Sequence, residues 1–270
     1  MIEFCFETVN WSPYLGFERP DLVQLIRAAA DAGYACISFD LPSIDYFVAH
    51  DGPIDLLKAN LDANRLRMLA VHSLSISDDV AEVERLTRAA VATCQVLDAE
   101  YLHAGVVSAV DDRVVEATRR AHAICRDAGV GFAIEFLPFL PVATIAQTRA
   151  LLSAAGIGGR NFVVDTWHFF NGPDDWPELE GLRGDEIAYV QFNDHGPLLS
   201  DDLLEETIHR RLMPGEGIFD LDRFARVLRA TGYDGVVGLE ILSRATRDLP
   251  VHEVARQAMD SSRPYWANKS

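Results

Sequence analysis

Four polar side chains close four consecutive apolar runs: Glu135 ends GFAIE, Asp165 ends NFVVD, Gln191 follows IAYV, and Glu240 follows VVGL. An ionised carboxylate taken out of water without a partner is very costly. Groups of this kind at the ends of buried runs therefore call for a shared compensating charge, most simply one cation. Glu135 and Asp165 are 30 residues apart and Asp165 and Gln191 are 26 apart, about one strand–helix unit each; the 49 residues to Glu240 hold a unit and a long loop. Each residue has a plainer reading: a Glu can pair with an Arg, Asp165 can cap the next helix, and Gln191 can satisfy backbone groups. His168 lies three residues past Asp165 in DTWHFF, which places it in the same pocket; His72 follows MLAV and His103 sits in YLHAG, where a packed rim histidine is the plainer alternative.

These residues need elements to position them. Strand-like runs occupy 2–8, 35–40, 67–73, 101–107, 131–136, 161–165, 187–193 and 236–241, and helical patterns lie between them. DLVQLIRAAADAGY starts on Asp21 after Pro20 and stops near Gly33; DDVAEVERLTRAAVATCQVLDA and DDRVVEATRRAHAICRDAGV open on acids that suit a helix N-terminus; FDLDRFARVLRATGY ends near Gly232. Eight alternating units with near-continuously apolar strands imply a parallel sheet closed by outer helices, a single (β/α)8 TIM barrel over 1–270. No Gly-rich loop follows the first strand, which weighs against a dinucleotide-binding sheet. Barrels of this kind carry their sites at the C-terminal strand ends, where the four polar residues fall. The longest irregular stretch is about 194–219, and loops of that length are usually functional.

Composition narrows the partners. The chain has 49% hydrophobic and 24% charged residues and a formal net charge of −17. That balance repels nucleic acid and anionic membranes, while leaving room for a small substrate met by a few local cations. Cys5, Cys36, Cys94 and Cys125 form no CxxC pair and read as buried, reduced thiols of a cytoplasmic protein. No apolar stretch is long enough to span a bilayer, and the N-terminal residues lack the pattern of a signal peptide.

AIEF with Glu135, VVDTWHFF with Asp165 and His168, YVQFND with Gln191, RRLMPGEG from Arg210 to Gly217, and GLEI with Glu240 together resemble the xylose isomerase-like TIM-barrel superfamily in order and spacing. That superfamily includes sugar isomerases and epimerases, hydroxypyruvate isomerase, inosose dehydratase and apurinic endonucleases. The resemblance implies that Glu135, Asp165, Gln191 and Glu240 ligate one divalent metal ion. Most members carry His where Gln191 stands; the hydroxypyruvate isomerase branch resembles this chain in carrying Gln. An all-oxygen ligand set favours Mn2+ or Mg2+ over Co2+ or Zn2+. The endonuclease branch fits poorly, because its extra His and Asp ligands after the seventh strand have no counterpart here.

The resemblance further implies proton transfer next to a carbonyl, with Glu135 and Glu240 as the acid/base pair. His168 and Arg211 would hold substrate oxygens, with Arg210 nearly equal to Arg211 as a candidate and His72, His103 and Trp11 as further contacts. The expected activity is a metal-dependent isomerase or epimerase acting on a sugar-like hydroxy ketone. A lyase, dehydrating a keto-polyol or keto-inositol through the same enolate, is the alternative. A non-catalytic binding barrel is the reading from another class. Trp11 and Tyr14, with Trp167, Phe169 and Phe170, are expected to wall the pocket, which favours a cyclic or partly apolar polyol. No phosphate cradle is evident, which weighs against a sugar phosphate. The final segment, PVHEVARQAMDSSRPYWANKS, reads as a helix that closes the barrel or packs on a second copy, and members of the superfamily are often homo-oligomers.

Overall fold

The computed structural model describes residues 2–17 and 19–267. Met1, Glu18 and residues 268–270, the last of which end the expected final helical segment, lie outside the described residues. Eight parallel strands close into a barrel: β1 (Glu3–Glu7), β2 (Cys36–Asp40), β3 (Arg67–Ile76), β4 (Tyr101–Val106), β5 (Gly131–Glu135), β6 (Phe162–Asp165), β7 (Ile187–Phe192) and β10 (Val236–Leu239), with β10 pairing back onto β1. Two short strands, β8 (Asp194–His195) and β9 (Arg211–Leu212), form an antiparallel ladder of their own on the rim. The expected (β/α)8 barrel is the observed fold, and each of the eight sequence runs supplies its strand.

Most of the described helices start where an aspartate can take up free N–H groups. Asp21 accepts from Gln24 N (2.9 Å), Asp79 from Glu82 N (3.1 Å), Asp111 from Val114 N (2.9 Å) and Asp220 from Arg223 N (3.1 Å). The helix Leu22–Ala32 stops at Gly33, whose φ of +82° is a left-handed cap that glycine adopts without strain. Several units depart from one helix each, among them β6–β7 with Thr166–Asn171 and Trp176–Glu180. The β2–β3 crossover carries two helices, Leu41–His50 and Ile54–Ala63, and the long β7–β10 connection contains the rim ladder and a short helix, Leu203–His209.

Two apolar layers follow from the alternation of strand side chains. One gathers the helices and the outward faces of the strands. The other is the barrel interior: Cys5, Cys36, Ala70, Ala133, Val163, Tyr189 and Val236, with Tyr101 packed against them. Two tyrosines share this plug, so the remaining positions are small. All four cysteines are buried free thiols. No described helix is long and apolar enough to cross a membrane.

The last helix, Val251–Trp266, lies along Leu22–Ala32. Tyr34 Oη donates to Ala255 O (3.0 Å), and the buried Trp266 ring sits edge-on to Phe192 with centroids 5.4 Å apart. The segment thus closes the ring of helices. Trp266→Ala should cost about 3–5 kcal/mol of stability, the usual range for emptying a buried tryptophan site. A urea-unfolding midpoint unchanged from wild type would show that this helix does not carry the closure.

Candidate active site

Because strand side chains alternate, the residue two places beyond each plug position faces the same interior, one layer nearer the C-terminal mouth. Those residues are Glu7 after Cys5, Ser38 after Cys36, His72 after Ala70, His103 after Tyr101, Glu135 after Ala133, Asp165 after Val163 and Gln191 after Tyr189. On β10 the position two beyond Val236 is Gly238, and Glu240 comes at the next step. A Cβ on Gly238 would come within 2.3 Å of Glu7 Oε1, so the missing side chain there is the space the Glu7 carboxylate occupies. A ring of titratable groups thus rests directly on an apolar plug. Glu7, His72, His103, Glu135, Asp165, His168, Gln191 and Glu240 are all buried.

The groups are paired around the ring. His103 Nε2 lies 3.1 Å from Glu135 Oε2, and Tyr189 Oη lies 2.6 Å from His103 Nδ1. His168 Nε2 is 3.3 Å from Glu135 Oε1. Burial alone would raise the Glu135 carboxyl, but His168 and His103 together hold it well below the usual carboxylate range. Burial lowers His103 despite its carboxylate neighbour, and nearby His72 adds to that. Across the ring His72 Nε2 meets Glu7 Oε2 at 3.1 Å; burial opposes its protonation, yet Glu7 outweighs it and pushes the imidazole up to about 9. Glu240 is pushed up to about 8 by burial, opposed by Arg211 and reinforced by Asp165, Glu135 and Glu7.

Arg211 reaches this ring from the rim. Its Nη1 donates to Asp165 Oδ2 (2.8 Å) and to Glu240 Oε2 (2.9 Å), and the guanidinium stacks near Trp167. Three supports aim it inward. Its backbone N donates to Leu242 O, its Nε and Nη2 donate to Thr207 on the short rim helix, and β9 pairs with β8. The PGEG turn holds the far end of that pairing by wrapping Asp194, whose carboxylate accepts from the N–H groups of Gly215, Gly217 and Phe219. A Cβ at Gly217 would lie 2.2 Å from Asp194 Oδ1, which requires glycine there.

The structure brings Glu135, Asp165, Gln191, Glu240, His168, Arg211, His72 and His103 into one ring. Ligand atoms of Glu135, Asp165 and His168 lie within 4.8 Å of one another, and so do those of Glu7, His72 and Glu240. Two of the plainer sequence alternatives are also realised. Asp165 Oδ1 caps the short helix Thr166–Asn171, accepting from Trp167 N and His168 N, and Glu240 is paired with an arginine. Gln191 donates through Nε2 to Glu240 Oε1 (2.9 Å), while its own Oε1 is buried with no hydrogen bond. Arg210 points away from the ring, its Nε bonded to Glu206 at 2.9 Å. Trp11 packs on Phe6 in the outer layer, centroids 5.6 Å apart, and Tyr14 is exposed. Trp167 is buried beneath Arg211, whereas Phe169 and Phe170 pack with Trp176 and Phe224. Sequence reasoning missed Glu7 and Tyr189. For Glu7 the signal was present: it closes the run IEFCFET as the other acids close theirs.

Over residues 26–265 the chain matches the family described as xylose isomerase-like TIM barrel. The chain belongs to that family. Among curated members it is 24% identical to an inosose isomerase of Halalkalibacterium halodurans over 91% of each chain, and 26% identical to a putative hydroxypyruvate isomerase of Streptomyces coelicolor over 88% of this chain and 91% of that one. It is 32% identical to a 3-dehydroshikimate dehydratase of Pseudomonas putida over 120 residues, 44% of this chain and only 19% of that much longer protein. The fold superposes on a zinc-bound IolI protein with a TM-score of 0.81 at 20% identity over 98% of both chains. It also superposes on an L-ribulose 3-epimerase with a TM-score of 0.75 at 17% identity, over 98% of this chain and 95% of that one. The named relatives of this xylose isomerase-like barrel are thus isomerases, epimerases and dehydratases.

The Glu7–His72 pair makes a pH-dependent contribution whose sign is fixed. His72 titrates higher folded than unfolded, so its stabilisation is complete below pH 6.5 and is lost as pH rises through about 9. In chelator-treated protein, Glu7→Gln should therefore cost about 3 kcal/mol at pH 6 and progressively less toward pH 9.5. A stability difference that stays flat across that range in urea unfolding would contradict the pairing.

Proposed function

We propose that this barrel is a divalent-metal-dependent isomerase or epimerase that moves a proton next to the carbonyl of a hydroxy ketone. The observation that carries the reading is a dense set of buried oxygen donors that lack enough donors of their own. Of the four proposed ligands, Glu135 Oε1 and Gln191 Oε1 are buried without a hydrogen bond, and a single guanidinium, Arg211, answers both Asp165 and Glu240. Glu135, Asp165, Gln191 and Glu240 would hold a divalent cation, with Glu135 and Asp165 already clustered beside His168 and Glu240 in the neighbouring cluster of Glu7 and His72, and the all-oxygen donor set favours Mn2+ or Mg2+. When bound, it would supply electrophilic polarisation of the substrate oxygen.

The protein's own groups then divide the proton work. Glu135, kept ionised by two imidazoles, takes the carbon-bound proton. Glu240 is the second acid/base group: reprotonated from solvent on the oxygen that does not hold the cation, it returns a proton at the neighbouring carbon or the opposite face, and Glu135 releases the proton it took to solvent. His168 and Arg211 orient substrate oxygens, and the apolar plug beneath excludes water from the reacting layer. Inosose and 3-dehydroshikimate, named for the relatives, are both six-membered-ring hydroxy ketones. A ring ketone is accordingly the substrate class we assign to this chain.

The 32% identity with the dehydratase supports a second outcome from the same proton abstraction, in which the enolate expels a β-hydroxyl instead of being reprotonated. The two outcomes separate directly: incubation with keto-inositols and related ring ketones in D2O gives carbon-bound deuterium for isomerisation, and a growing enone absorbance for elimination.

Glu135→Gln and Glu240→Gln should each lower kcat by at least about 100-fold with metal retained. Wild-type turnover in either variant would remove that residue from the proton transfer. Without metal the Glu240 carboxyl is protonated up to about pH 8 and must lose its proton to become a ligand. Calorimetric Mn2+ affinity should therefore rise with pH up to about 8 and then level, with proton release that shrinks over the same range. Binding that is independent of pH and releases no proton would count against Glu240 as a ligand.

A further inference from the structure

Tyr189 is wholly buried in the interior plug, beneath the layer that would meet substrate, yet its hydroxyl is engaged upward with a titratable ring. Its Oη lies 2.6 Å from His103 Nδ1, and His103 Nε2 lies 3.1 Å from Glu135 Oε2. The chemistry of the three groups orders the protons. An ionised carboxylate only accepts, so His103 must present an N–H at Nε2. A neutral imidazole with its proton at Nε2 has a bare lone pair at Nδ1, which in a buried site needs a donor. The phenol, an O–H donor 2.6 Å away, is that donor. The opposite tautomer would turn a bare Nε2 lone pair toward Glu135 and leave its oxygen with no donor from this side.

We propose that Tyr189 is a positioning residue for the proton-transfer step: through the tautomer of His103 it fixes the orientation of the Glu135 carboxylate from two hydrogen bonds away. The inference rests on the assignment of Glu135 as the base. It goes beyond that assignment by giving a plug residue, remote from substrate, control over one rim carboxylate. Glu135 Oε2 is anchored by His103 at 3.1 Å, while Oε1 faces His168 Nε2 at 3.3 Å without a geometrically formed hydrogen bond. The relay thus fixes the Oε2 side of the carboxylate, so that Oε1 is presented toward His168 and the reacting layer. Tyr189 is held in turn by ring contacts with Tyr101 at 5.9 Å and His72 at 6.3 Å, so the anchor is rigid.

The test uses Tyr189→Phe, which deletes one oxygen and keeps the ring. In metal-free protein, 15N NMR of the His103 imidazole should change from the pure Nε2–H form in wild type to a mixture of tautomers in the variant. With metal and substrate, kcat should fall about ten-fold, with KM within about two-fold of wild type. His103→Gln supplies a cycle, because a glutamine amide donates to Glu135 without any help from the phenol. In that background the further change Tyr189→Phe should cost less than about two-fold. An unchanged His103 tautomer overturns the proposal whatever the activity, and so does an equal kcat loss in both backgrounds. If the NMR change occurs but Glu135→Gln keeps full turnover, the relay stands and the assignment of the base fails.

Discussion

The constraint on which this site depends is desolvation: four carboxylates stand in one layer above a sealed apolar plug. In that position none can stay charged unless something answers it. The barrel answers each differently. Glu135 is held between two imidazoles, Glu7 against a protonated imidazole, Asp165 between helix N–H groups and Arg211, and Glu240 between Arg211 and the amide of Gln191. Their acidities diverge as a result, Glu135 downward and Glu240 upward. Divergent acidities in neighbouring carboxyls are what a site needs to hold a base and an acid side by side near neutral pH.

The second requirement is an arginine that arrives from outside the barrel wall. Arg211 belongs to no barrel strand; it is delivered by a rim excursion whose own structure is small and tightly tied. The β8–β9 ladder, the Thr207 hydroxyl and the PGEG turn around Asp194 each fix one part of that excursion. The buried ion pairs at its tip are strong only because this scaffold leaves the guanidinium little freedom.

Much of this was legible in the residues. Strand-forming runs, aspartate caps and glycine stops fixed the eight units, since each is a local signal that tertiary packing reinforces. Glu135, Asp165, Gln191 and Glu240 stood out because a polar group ending an apolar run is conspicuous. Glu7 was less visible, since the first run is shorter on flanking apolar residues and the space for its carboxylate is a glycine on a strand more than two hundred residues away. Tyr189 was hidden because an aromatic inside IAYVQF reads as packing, and its hydroxyl acquires meaning only when β4 places His103 beside it. Arg210 and Arg211 could not be separated by spacing alone. The β8–β9 register, which pairs His195 with Arg211, decides which of the two points inward.

The position of Arg211 also bears on how such a barrel can change its substrate. Rim connections are the parts of this architecture most open to exchange, because strands and plug hold without them. Here the longest connection also supplies the counter-charge of Asp165 and Glu240. Transplanting that stretch to alter recognition would at the same time remove a charge from the reacting layer. The outer face of the stretch, around the exposed Leu198, Leu199 and Ile218, is the part that can be exchanged without touching those ion pairs.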